Sequence, residues 1–580
     1  MNRNGFEKNK KIKIFTFFFI ILFLTIFLLL VFINVSHKKH FSFRKEKVIK
    51  EALRGSIITK NDYILAYSQN EYRLRIYKRY IDPLKKDLLF SMLHIYLKIP
   101  VETIREKYQS NKMLFEHISA LKKYELLKLQ KDLETKKVFK TPKGEKSYWA
   151  FDITKQKEKR FYPLKDTLVP YIGLFGFDDS KKCYCGTYGL EKYYENLLKG
   201  SAKKIVGNKA KNGVIIRDKK SYIKEYEPNF DIMTNIDIKL QKNIEKILDK
   251  EKERLEAKEI IAAVMESKTG KIISIASSNR VVIPLKKGDD VSLLNISAIQ
   301  YVYEPGSVLK PIFLSLLIEN GKVKDLNKLI NTHNGVYFFP NGKRITDAHP
   351  YPFLSVEDVI VHSSNIGMSE LSKRANPLHI IDGLRKFGFS KCSQIDLGNE
   401  KCGKLPEVKD LKNSVIMANI SYGYRLNVNF AQLLKAYNVF NNDGKIITPK
   451  LAHIKRLCDT EHYELIEPVK VKRVISKKTA KIINNILQEV VDRGTAKGIK
   501  IPNIQMGGKT GTAQIVEKNK YVSRYNSSFF GFANDKEHKY TIGVLVIEPS
   551  FRYHFASQSA AKVFEKVVKE LIKEKYLQIF

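Results

Sequence analysis

The 580-residue chain has little of several residue types, and each shortage excludes a class of protein. It contains 5 cysteines, 30 glycines and 18 prolines, while 43% of its residues are hydrophobic and 11% are aromatic. Five cysteines cannot form the dense framework of a small disulfide-bonded scaffold. The scarcity of glycine and proline excludes collagen-like and mucin-like chains, and the apolar content excludes global disorder. A chain of this length is expected to form more than one domain with sizeable hydrophobic cores.

Acidic residues are scarce relative to basic ones. The chain has 103 Lys and Arg residues against 61 Asp and Glu residues, which gives a formal net charge of +42. Such an excess is typical of nucleic-acid binding proteins. The lysines, however, are spread over the whole length, and no zinc-finger spacing, RNP-type aromatic strand or basic-region heptad run concentrates them. We therefore expect no nucleic-acid partner, because a Lys-biased proteome or affinity for anionic lipid and wall polymers accounts better for the charge.

A single long apolar run occurs, near the N-terminus. Residues 14–35 are interrupted by Thr16, Thr25 and Asn34 alone, and about 20 apolar residues span a hydrocarbon core of roughly 30 Å. The competing interpretation is a cleaved signal peptide, which has an apolar stretch of about 7–15 residues followed by a small-residue cleavage site. Here the basic sequence His37-Lys38-Lys39-His40 follows instead. We predict a cytoplasmic tail (1–13), an uncleaved transmembrane helix (14–35) and an extracytoplasmic remainder.

Residues 36–230 form a mixed, charge-rich region. Apolar residues between Leu88 and Leu97 recur at helical spacing. Three short segments stand out in this region. They are Arg54-Gly55-Ser56-Ile57, Arg160-Phe161-Tyr162-Pro163 and Gly189-Leu190-Glu191-Lys192-Tyr193-Tyr194. Physical considerations alone predict turns and a short helix on a scaffold, without a catalytic constellation.

The composition changes near Asp231, and apolar residues recur at helical spacing from Leu240 onwards. Two strands are predicted next, at 260–266 and 271–277, joined by a hairpin turn. Two further strands are predicted close to the C-terminus at 528–533 and 540–547, ahead of a final amphipathic helix. The order of helix, strands, mostly helical middle, strands and helix implies an α+β fold. Its single antiparallel sheet takes strands from both ends of the domain.

Two serine-containing patches lie in the helical middle. In the first, Ser307 precedes Lys310 by three residues, so a helix that begins at Ser307 places both on one face. A desolvated lysine can then activate the serine for acyl transfer, and the helix N-terminus favours a developing oxyanion. S-x-x-K is nevertheless common by chance. In the second patch, Ser363 and Asn365 supply a hydroxyl and an amide, while an ordinary helix cap at Ser364 or Asn365 is the alternative.

A third patch, Gly507-Gly508-Lys509-Thr510-Gly511-Thr512-Ala513-Gln514, precedes the C-terminal strands. Its glycines allow close backbone approach, its lysine offers a fixed cation, and its threonine hydroxyls can hold a carboxylate. A phosphate loop is the alternative, but the spacing G-x-x-x-x-G-K-[ST] is absent because Asn503 occupies the place of the first glycine.

The order and spacing of these patches resemble those of a known family. S-x-x-K, then S-x-N, then K-T-G is the motif set of penicillin-recognising serine acyltransferases. From about residue 14 to 570 the chain resembles a class B penicillin-binding protein, including the R-G-x-I segment at Arg54 and the G-L-E-x-Y-Y segment at Gly189. The resemblance implies a pedestal (dimerisation-type) domain at 36–230 and a transpeptidase domain at 231–580. The latter has a five-stranded antiparallel sheet flanked by helices and an all-helical subdomain.

Within class B, the motif sequences resemble the division-specific (FtsI-like) branch. Asn365 stands where the elongation-specific branch typically has an aspartate in S-x-D. One departure from the family pattern is Arg425, which stands in the loop Ser421-Tyr422-Gly423-Tyr424-Arg425 where the family often has a second glycine. We expect this substitution to alter the substrate groove.

The resemblance implies a role for each matching residue. Ser307 attacks the penultimate D-alanine carbonyl of a stem peptide, Lys310 acts as base, and Ser363, held with Lys310 and Asn365, relays the proton. Lys509 supplies positive potential, while Thr510, Gly511 and Thr512 bind the donor, with the N–H groups of Ser307 and Thr512 as oxyanion hole. The implied ligands are peptidoglycan stem peptides and β-lactams. The implied partners are a polytopic lipid II glycosyltransferase and other division proteins, and no metal or cofactor is implied.

Several alternatives stay open at this stage. The same fold serves elongation-specific transpeptidases and D,D-carboxypeptidases, and a non-catalytic division scaffold or a β-lactam sensor or β-lactamase would keep parts of it. Among the cysteines, Cys392 and Cys402 are close enough in sequence to close a short loop, whereas Cys183, Cys185 and Cys458 suggest no pairing.

Overall fold

The structure is a computed structural model that describes residues 4–40, 45–50, 53–140, 150–200, 203–209, 215–216, 222–224, 228–285, 290–458, 460–518 and 520–579. The chain divides into two compact units: unit 1 contains Met1–Ala52 and Gly200–Glu227, and unit 2 contains Leu53–Lys199 and Pro228–Phe580.

The N-terminal elements alternate between helices and short strands. The helices are α1 Asn4–His40, α2 Lys86–Leu97, α3 Val101–Gln109, α4 Ala120–Thr135, α5 Val169–Ile172, α6 Gly189–Tyr193 and α7 Glu195–Lys199. The strands are β1 Lys45–Lys50, β2 Ile57–Thr59, β3 Ile64–Ile76, β4 Leu114–Ile118, β5 Phe151–Phe161, β6 Phe175–Asp178, β7 Cys183–Gly186, β8 Lys203–Lys209, β9 Ile215–Ile216, β10 Tyr222–Lys224 and β11 Phe230–Thr234.

The C-terminal elements include the longer strands. The helices are α8 Ile238–Leu255, α9 Ser297–Gln300, α10 Lys310–Glu319, α11 Val356–Val361, α12 Asn365–Ser372, α13 Pro377–Lys386, α14 Ser414–Ser421, α15 Phe430–Asn441, α16 Lys477–Asp492 and α17 Ala560–Lys573. The strands are β12 Glu259–Glu266, β13 Ile272–Ser277, β14 Leu329–Asn331, β15 Val336–Phe338, β16 Arg344–Thr346, β17 Phe353–Ser355, β18 Lys445–Ile447, β19 Ala452–Leu457, β20 Tyr463–Leu465, β21 Val471–Arg473, β22 Gln505–Glu517, β23 Lys520–Asn534 and β24 Lys539–Ile547.

Unit 1 contains the apolar helix and a small sheet. Within α1, the segment Lys13–Ile33 is long and apolar enough to cross a membrane, with a mean hydropathy of 3.1. In the sheet, β8 pairs antiparallel with β1, β9 and β10.

A five-stranded antiparallel sheet, ordered β13-β12-β24-β23-β22, forms the core of the C-terminal part of unit 2. Helices α8 and α17 pack against each other and the sheet, as do α15 and α16. Strands β12 and β24 are buried almost throughout, which explains why their sequences are continuously apolar rather than alternating. The predicted strand pairs, the final helix and the sheet with strands from both ends are confirmed.

A second, mixed sheet has the order β20-β19-β11-β2-β3-β4, with β5 also pairing with β3. Its central strand β11 runs parallel to β2 and antiparallel to β19, so it joins segments from both ends of unit 2. The domain boundary expected between residues 230 and 231 lies inside this strand.

A buried ion cluster brings together the three segments that the sequence singled out before residue 230. The fully buried carboxylate of Glu191 accepts hydrogen bonds at 2.7 Å from Nε of Arg54 and from Nε of Arg160. Arg54 also pairs with Glu195 at 2.7 Å. The turn before Glu191 requires glycine, because Gly189 has a φ of +55° and a Cβ there would lie 2.3 Å from the Tyr171 carbonyl oxygen. The predicted short helix is present as α6, whereas Arg160 and Phe161 end strand β5 instead of forming a turn. The three segments share a structural role in this buried cluster.

Cys392 and Cys402 form a disulfide, with Cα atoms 4.6 Å apart. Within the described residues the other three cysteines are not disulfide-bonded.

Candidate active site

Ser307 lies in a short 3-10 turn, Gly306–Leu309, that leads directly into α10. We call this segment the Ser307 turn. Gly306 has a φ of +62°, and its N–H donates to the carbonyl oxygen of Gly423 at 3.0 Å. A Cβ on Gly423 would lie 1.9 Å from the Gly306 carbonyl oxygen, so glycine is required for this contact. The turn is therefore fixed by another backbone segment.

The Ser307 turn also packs against strand β22. A Cβ on Gly511 would lie 2.8 Å from Cγ1 of Val308, so the K-T-G segment and the turn are in close contact. On the other side, the hydroxyl of Tyr437 donates to the Val308 carbonyl oxygen at 2.6 Å. Ser307 itself is half-buried, and its hydroxyl makes no hydrogen bond within the described part of the chain. The residue is therefore partly exposed to solvent.

Lys310 is the first residue of α10, and its side chain is fully buried. Its Nζ donates to the carbonyl oxygen of Ser363 at 2.5 Å and to Ser363 Oγ at 3.1 Å. Loss of hydration lowers the pKa of Lys310 to about 7, against the opposing influence of the Asp347 carboxylate. An amine with such a pKa can take up a proton near neutral pH.

The second patch lies at the start of α12, whose first residue is Asn365. Ser363 adopts a left-handed backbone conformation with a φ of 61°, which costs of order 1–3 kcal/mol for a residue other than glycine. Ser364 is the N-cap of α12, because its hydroxyl accepts the Gly367 N–H at 2.8 Å. The cap interpretation is therefore correct for Ser364, and Ser363 separately contacts Lys310. The Asn365 side chain donates to the Thr346 carbonyl oxygen at 3.1 Å rather than to Ser363.

Asp347, which follows β16, connects to this patch and was not found from the sequence. Its Oδ1 accepts the N–H groups of Asn365 at 2.6 Å and Ile366 at 3.1 Å, and its Oδ2 accepts the hydroxyl of Ser364. A carboxylate in this position satisfies free N–H groups of the helix and interacts favourably with the helix dipole. No sequence pattern marks it, because the contacts depend on a loop that lies 18 positions earlier in the chain.

The third patch lies within β22, which is an edge strand of the five-stranded sheet. The alternative of a phosphate loop is wrong, because residues 505–517 pair with β23 instead of forming a loop before a helix. Lys509 is fully buried, and its Nζ lies 3.2 Å from both the carbonyl oxygen and Oγ1 of Thr510. The Thr510 hydroxyl lies 2.8 Å from that of Thr495.

The two buried lysines influence each other. Burial lowers the pKa of Lys509 well below its usual range, and the positive charge of Lys310 lowers it further. Two ammonium groups in one desolvated site favour states in which one of them is neutral, so their titrations are linked.

Thr512 contacts the segment that precedes the final helix α17. Its hydroxyl accepts the Ala556 N–H at 3.2 Å, and the residue is half-buried. A Cβ on Gly306 would lie 3.4 Å from the Thr512 carbonyl oxygen, so the backbones of Gly306 and Thr512 are adjacent. The eight residues predicted from the sequence thus lie on the Ser307 turn, the start of α10, the start of α12 and β22.

The loop with Arg425 also contacts this site. Arg425 has a φ of 64°, the left-handed conformation that glycine adopts most easily. Its N–H donates to Glu304 Oε1 at 2.8 Å, and the hydroxyl of Tyr521 donates to Glu304 Oε2 at 3.0 Å. Glu304 therefore links the segment before the Ser307 turn to this loop and to β23. Among the described residues, no group of three His, Cys, Asp or Glu side chains is placed to hold a metal ion.

Known protein families match both parts of the chain. The sequence model of the penicillin binding protein transpeptidase domain matches residues 260–569, and that of the penicillin-binding protein dimerisation domain matches residues 49–234.

Individual relatives agree with this result. The chain is 28% identical over 415 residues to the probable peptidoglycan D,D-transpeptidase PbpC of Pseudomonas aeruginosa, covering 71% of this chain and 69% of that protein. It is 27% identical over 426 residues to the peptidoglycan D,D-transpeptidase FtsI of Buchnera aphidicola, covering 72% and 70%. Among solved structures, penicillin binding protein 2X from Streptococcus thermophilus shares the fold, with a TM-score of 0.73 at 22% identity over 92% of this chain and 80% of that chain.

The transpeptidase model alone matches more than half of the chain, and a dimerisation domain precedes it. The chain therefore belongs to the penicillin-binding protein transpeptidase family, as a class B penicillin-binding protein.

Proposed function

We propose that this peptidoglycan D,D-transpeptidase cross-links stem peptides through an acyl-enzyme on Ser307, and that it does so in septal wall synthesis. The observation that supports this mechanism best concerns Lys310, which follows Ser307 by one helical turn. Lys310 is fully buried, and its Nζ lies 3.1 Å from Ser363 Oγ. A serine hydroxyl is a weak nucleophile, and an adjacent neutral amine can activate it.

In the acylation step, neutral Lys310 accepts the proton of the Ser307 hydroxyl as Oγ attacks the penultimate D-alanine carbonyl. The proton then passes through the Ser363 hydroxyl to the nitrogen of the terminal D-alanine. The amide C–N bond breaks, an ester to Ser307 forms, and free D-alanine leaves. Each group returns to its initial protonation state, so no further reactant is required.

The developing oxyanion needs N–H donors close to the attacked carbonyl. We assign this role to the N–H groups of Ser307 and Thr512, because the backbones of the Ser307 turn and β22 are adjacent. The donor carboxylate would lie along β22, where the hydroxyls of Thr510 and Thr512 can hold it. A carboxylate bound there would favour the protonated form of Lys509, whose pKa burial lowers in the empty site. Asn365, at the start of α12, would orient the substrate amide.

An amine from a neighbouring stem peptide then attacks the ester and forms the cross-link. A D,D-carboxypeptidase would use water in this step. β-Lactams resemble the donor and would leave Ser307 acylated. The division role is inferred from the S-x-N motif and from the resemblance to the FtsI-like branch.

The cellular arrangement forms part of the proposal. We assign residues 1–13 to a cytoplasmic tail, 14–35 to a single membrane anchor, 36–230 to the pedestal and 231–580 to an extracytoplasmic transpeptidase domain. The described segment Lys13–Ile33 supports the anchor by its length and composition. A lipid II glycosyltransferase and other division proteins are the expected partners.

The test separates acyl transfer from hydrolysis. Purified full-length protein is given a donor that ends in D-Ala-D-Ala, together with a labelled D-amino acid as acceptor. We expect release of D-alanine and incorporation of the label, both lost in Ser307→Ala. Release without incorporation would indicate a carboxypeptidase, and neither product from folded protein would support a scaffold. For the division role, depletion in the cell should block septation and leave elongation intact, whereas rounded cells would indicate the elongation role.

A further inference from the structure

A hollow of about 610 Å³ lies in the N-terminal part of unit 2, away from the Ser307 turn in the chain. The end of β3, the residues just after it, the end of α3 and β4 line it. Its charged lining residues are Arg75, Lys78, Arg79, Lys107, Lys112 and Glu116. We call it the basic hollow.

The charge of the basic hollow is not explained by the general excess of lysine. Five basic side chains face one acidic side chain there, whereas the whole chain has 103 basic and 61 acidic residues. Within the described residues, none of the five basic side chains forms an ion pair. Two acidic groups are nearby: Glu116 accepts a hydrogen bond from Gln156 at 3.4 Å, and Asp152 is the register partner of Arg75 on β5.

Several of these cations are held in place by aromatic rings. The Nζ of Lys78 lies 4.5 Å from the centre of the Tyr108 ring, and the guanidinium of Arg79 lies 4.7 Å from that of Tyr80. Ring contacts of this kind orient a cation without neutralising its charge. Like charges gathered on a concave surface repel one another and focus a positive potential, which an anionic ligand would relieve.

We propose that the basic hollow binds a ligand with two or more linked phosphate groups. Two guanidinium groups and three ammonium groups supply more donors than a single carboxylate can accept, and the arginine fork matches phosphate oxygens. The volume lies within the usual range of ligand pockets, roughly 300–1,000 Å³, and exceeds the needs of a single phosphate ion. The ligand is either a soluble or polymeric phosphate or a phosphate headgroup.

The test uses the full chain in neutral detergent and measures the binding of tripolyphosphate by isothermal titration calorimetry. The salt concentration is about 0.15 M, because surface charges are then screened beyond about 8 Å. The variant is Arg75→Glu/Lys112→Glu, two exposed positions whose side chains make no hydrogen bond in the described chain. The control is Lys322→Glu/Lys324→Glu, which makes the same change in net charge at exposed positions after α10. Covalent penicillin labelling and thermal unfolding check that each variant is folded.

We expect saturable binding that weakens at least about tenfold in the hollow variant and changes less than about twofold in the control. The hollow variant loses two cationic donors and gains two negative charges at the proposed site, whereas the control changes charge elsewhere. The proposal would be overturned by a lack of saturable binding or by equal weakening of binding in the control. It would also be overturned if citrate bound as tightly as tripolyphosphate. Addition of phosphatidylglycerol to the detergent distinguishes the sources: competition with tripolyphosphate indicates a headgroup, and no competition indicates a soluble or polymeric phosphate.

Discussion

Lys310 and Ser363 are 53 positions apart in the chain, yet Nζ of the lysine lies 3.1 Å from the hydroxyl oxygen of the serine. The contact requires the burial of α10 behind the Ser307 turn and the left-handed conformation of Ser363 before α12. Because a hydroxyl both accepts and donates hydrogen bonds, Ser363 can pass on a proton from the amine of Lys310, as the proposed mechanism requires.

The first prediction concerns the pH dependence of acylation. Burial lowers the pKa of Lys310 to about 7, so the amine is protonated and inactive as a base below that pH. The rate of acylation by penicillin should therefore fall about tenfold per pH unit on the acidic side and level off on the alkaline side. Stopped-flow acylation of wild-type protein measures this profile.

Lys310→Arg is the matched variant, since it keeps a positive charge but has no accessible neutral form. We expect its acylation rate to be lower by about 10²–10⁴-fold and to show no inflection near pH 7. A wild-type rate that is independent of pH would contradict the assignment of Lys310 as base.

The second prediction concerns Asp347. Its carboxylate raises the pKa of Lys310, against the effect of burial, and it binds the N–H groups at the start of α12. Asp347→Asn removes the charge with little change in shape, so the pKa of Lys310 should fall. The acylation rate should then begin to decrease at a lower pH than in the wild type. Loss of the capping charge should cost about 1 kcal/mol of stability.

The control for Asp347 is Asp325→Asn, an exposed aspartate that also accepts a backbone N–H, from Asn327 at 2.9 Å. Its acylation profile should match that of the wild type. If the profile of Asp347→Asn is also unchanged, Asp347 has a structural role alone.

The third prediction concerns stability. Glu191→Gln leaves the buried guanidinium of Arg160 without its paired carboxylate and leaves that of Arg54 with Glu195 alone. Removal of one partner from a buried ion cluster costs about 3–5 kcal/mol, so the melting temperature should fall clearly. Glu195→Gln should have a smaller effect, because that side chain is 19% exposed. Equal melting temperatures for both variants would contradict the role of Glu191 as the centre of the cluster.

The fourth prediction concerns Arg425, whose φ of 64° is unfavourable for a residue with a Cβ. Arg425→Gly should raise stability by roughly 0.5–1 kcal/mol, because relief of a left-handed conformation that costs about 1–2 kcal/mol exceeds the roughly 0.4–1 kcal/mol that glycine's freedom in the unfolded chain costs. The contact with Glu304 uses the backbone N–H and should persist. Arg425→Val should lower stability instead. Urea unfolding of the three proteins gives the ranking, and a valine variant as stable as the glycine variant would refute the argument.

The sequence predicted those parts of the fold whose signal is local. Strands β12, β13 and β24 and helix α17 follow from apolar patterns, and the buried sheet explains why those patterns are so strong. Strand β22 was missed because glycine and threonine weaken the apolar pattern of a strand. Its extended pairing with β23 is a tertiary effect.

In the candidate site, too, local sequence signals were predictive and tertiary contacts were not. The motif residues were found because their types and spacing resemble a known family. The contact of Lys310 with Ser363 and the capping by Asp347 depend on how distant segments pack, so no local pattern reveals them. The possible pairing of Cys392 with Cys402 was open from the sequence, and the structure joins them.

The most direct test of the central claim is covalent labelling of the full-length protein with a fluorescent penicillin, read by gel and intact mass. We predict that wild-type protein gains the mass of one penicillin and that Ser307→Ala gains none while it unfolds at the same temperature. Labelling that persists in Ser307→Ala, or a folded wild type that takes up no label, would contradict the account of Ser307 as the acylated nucleophile.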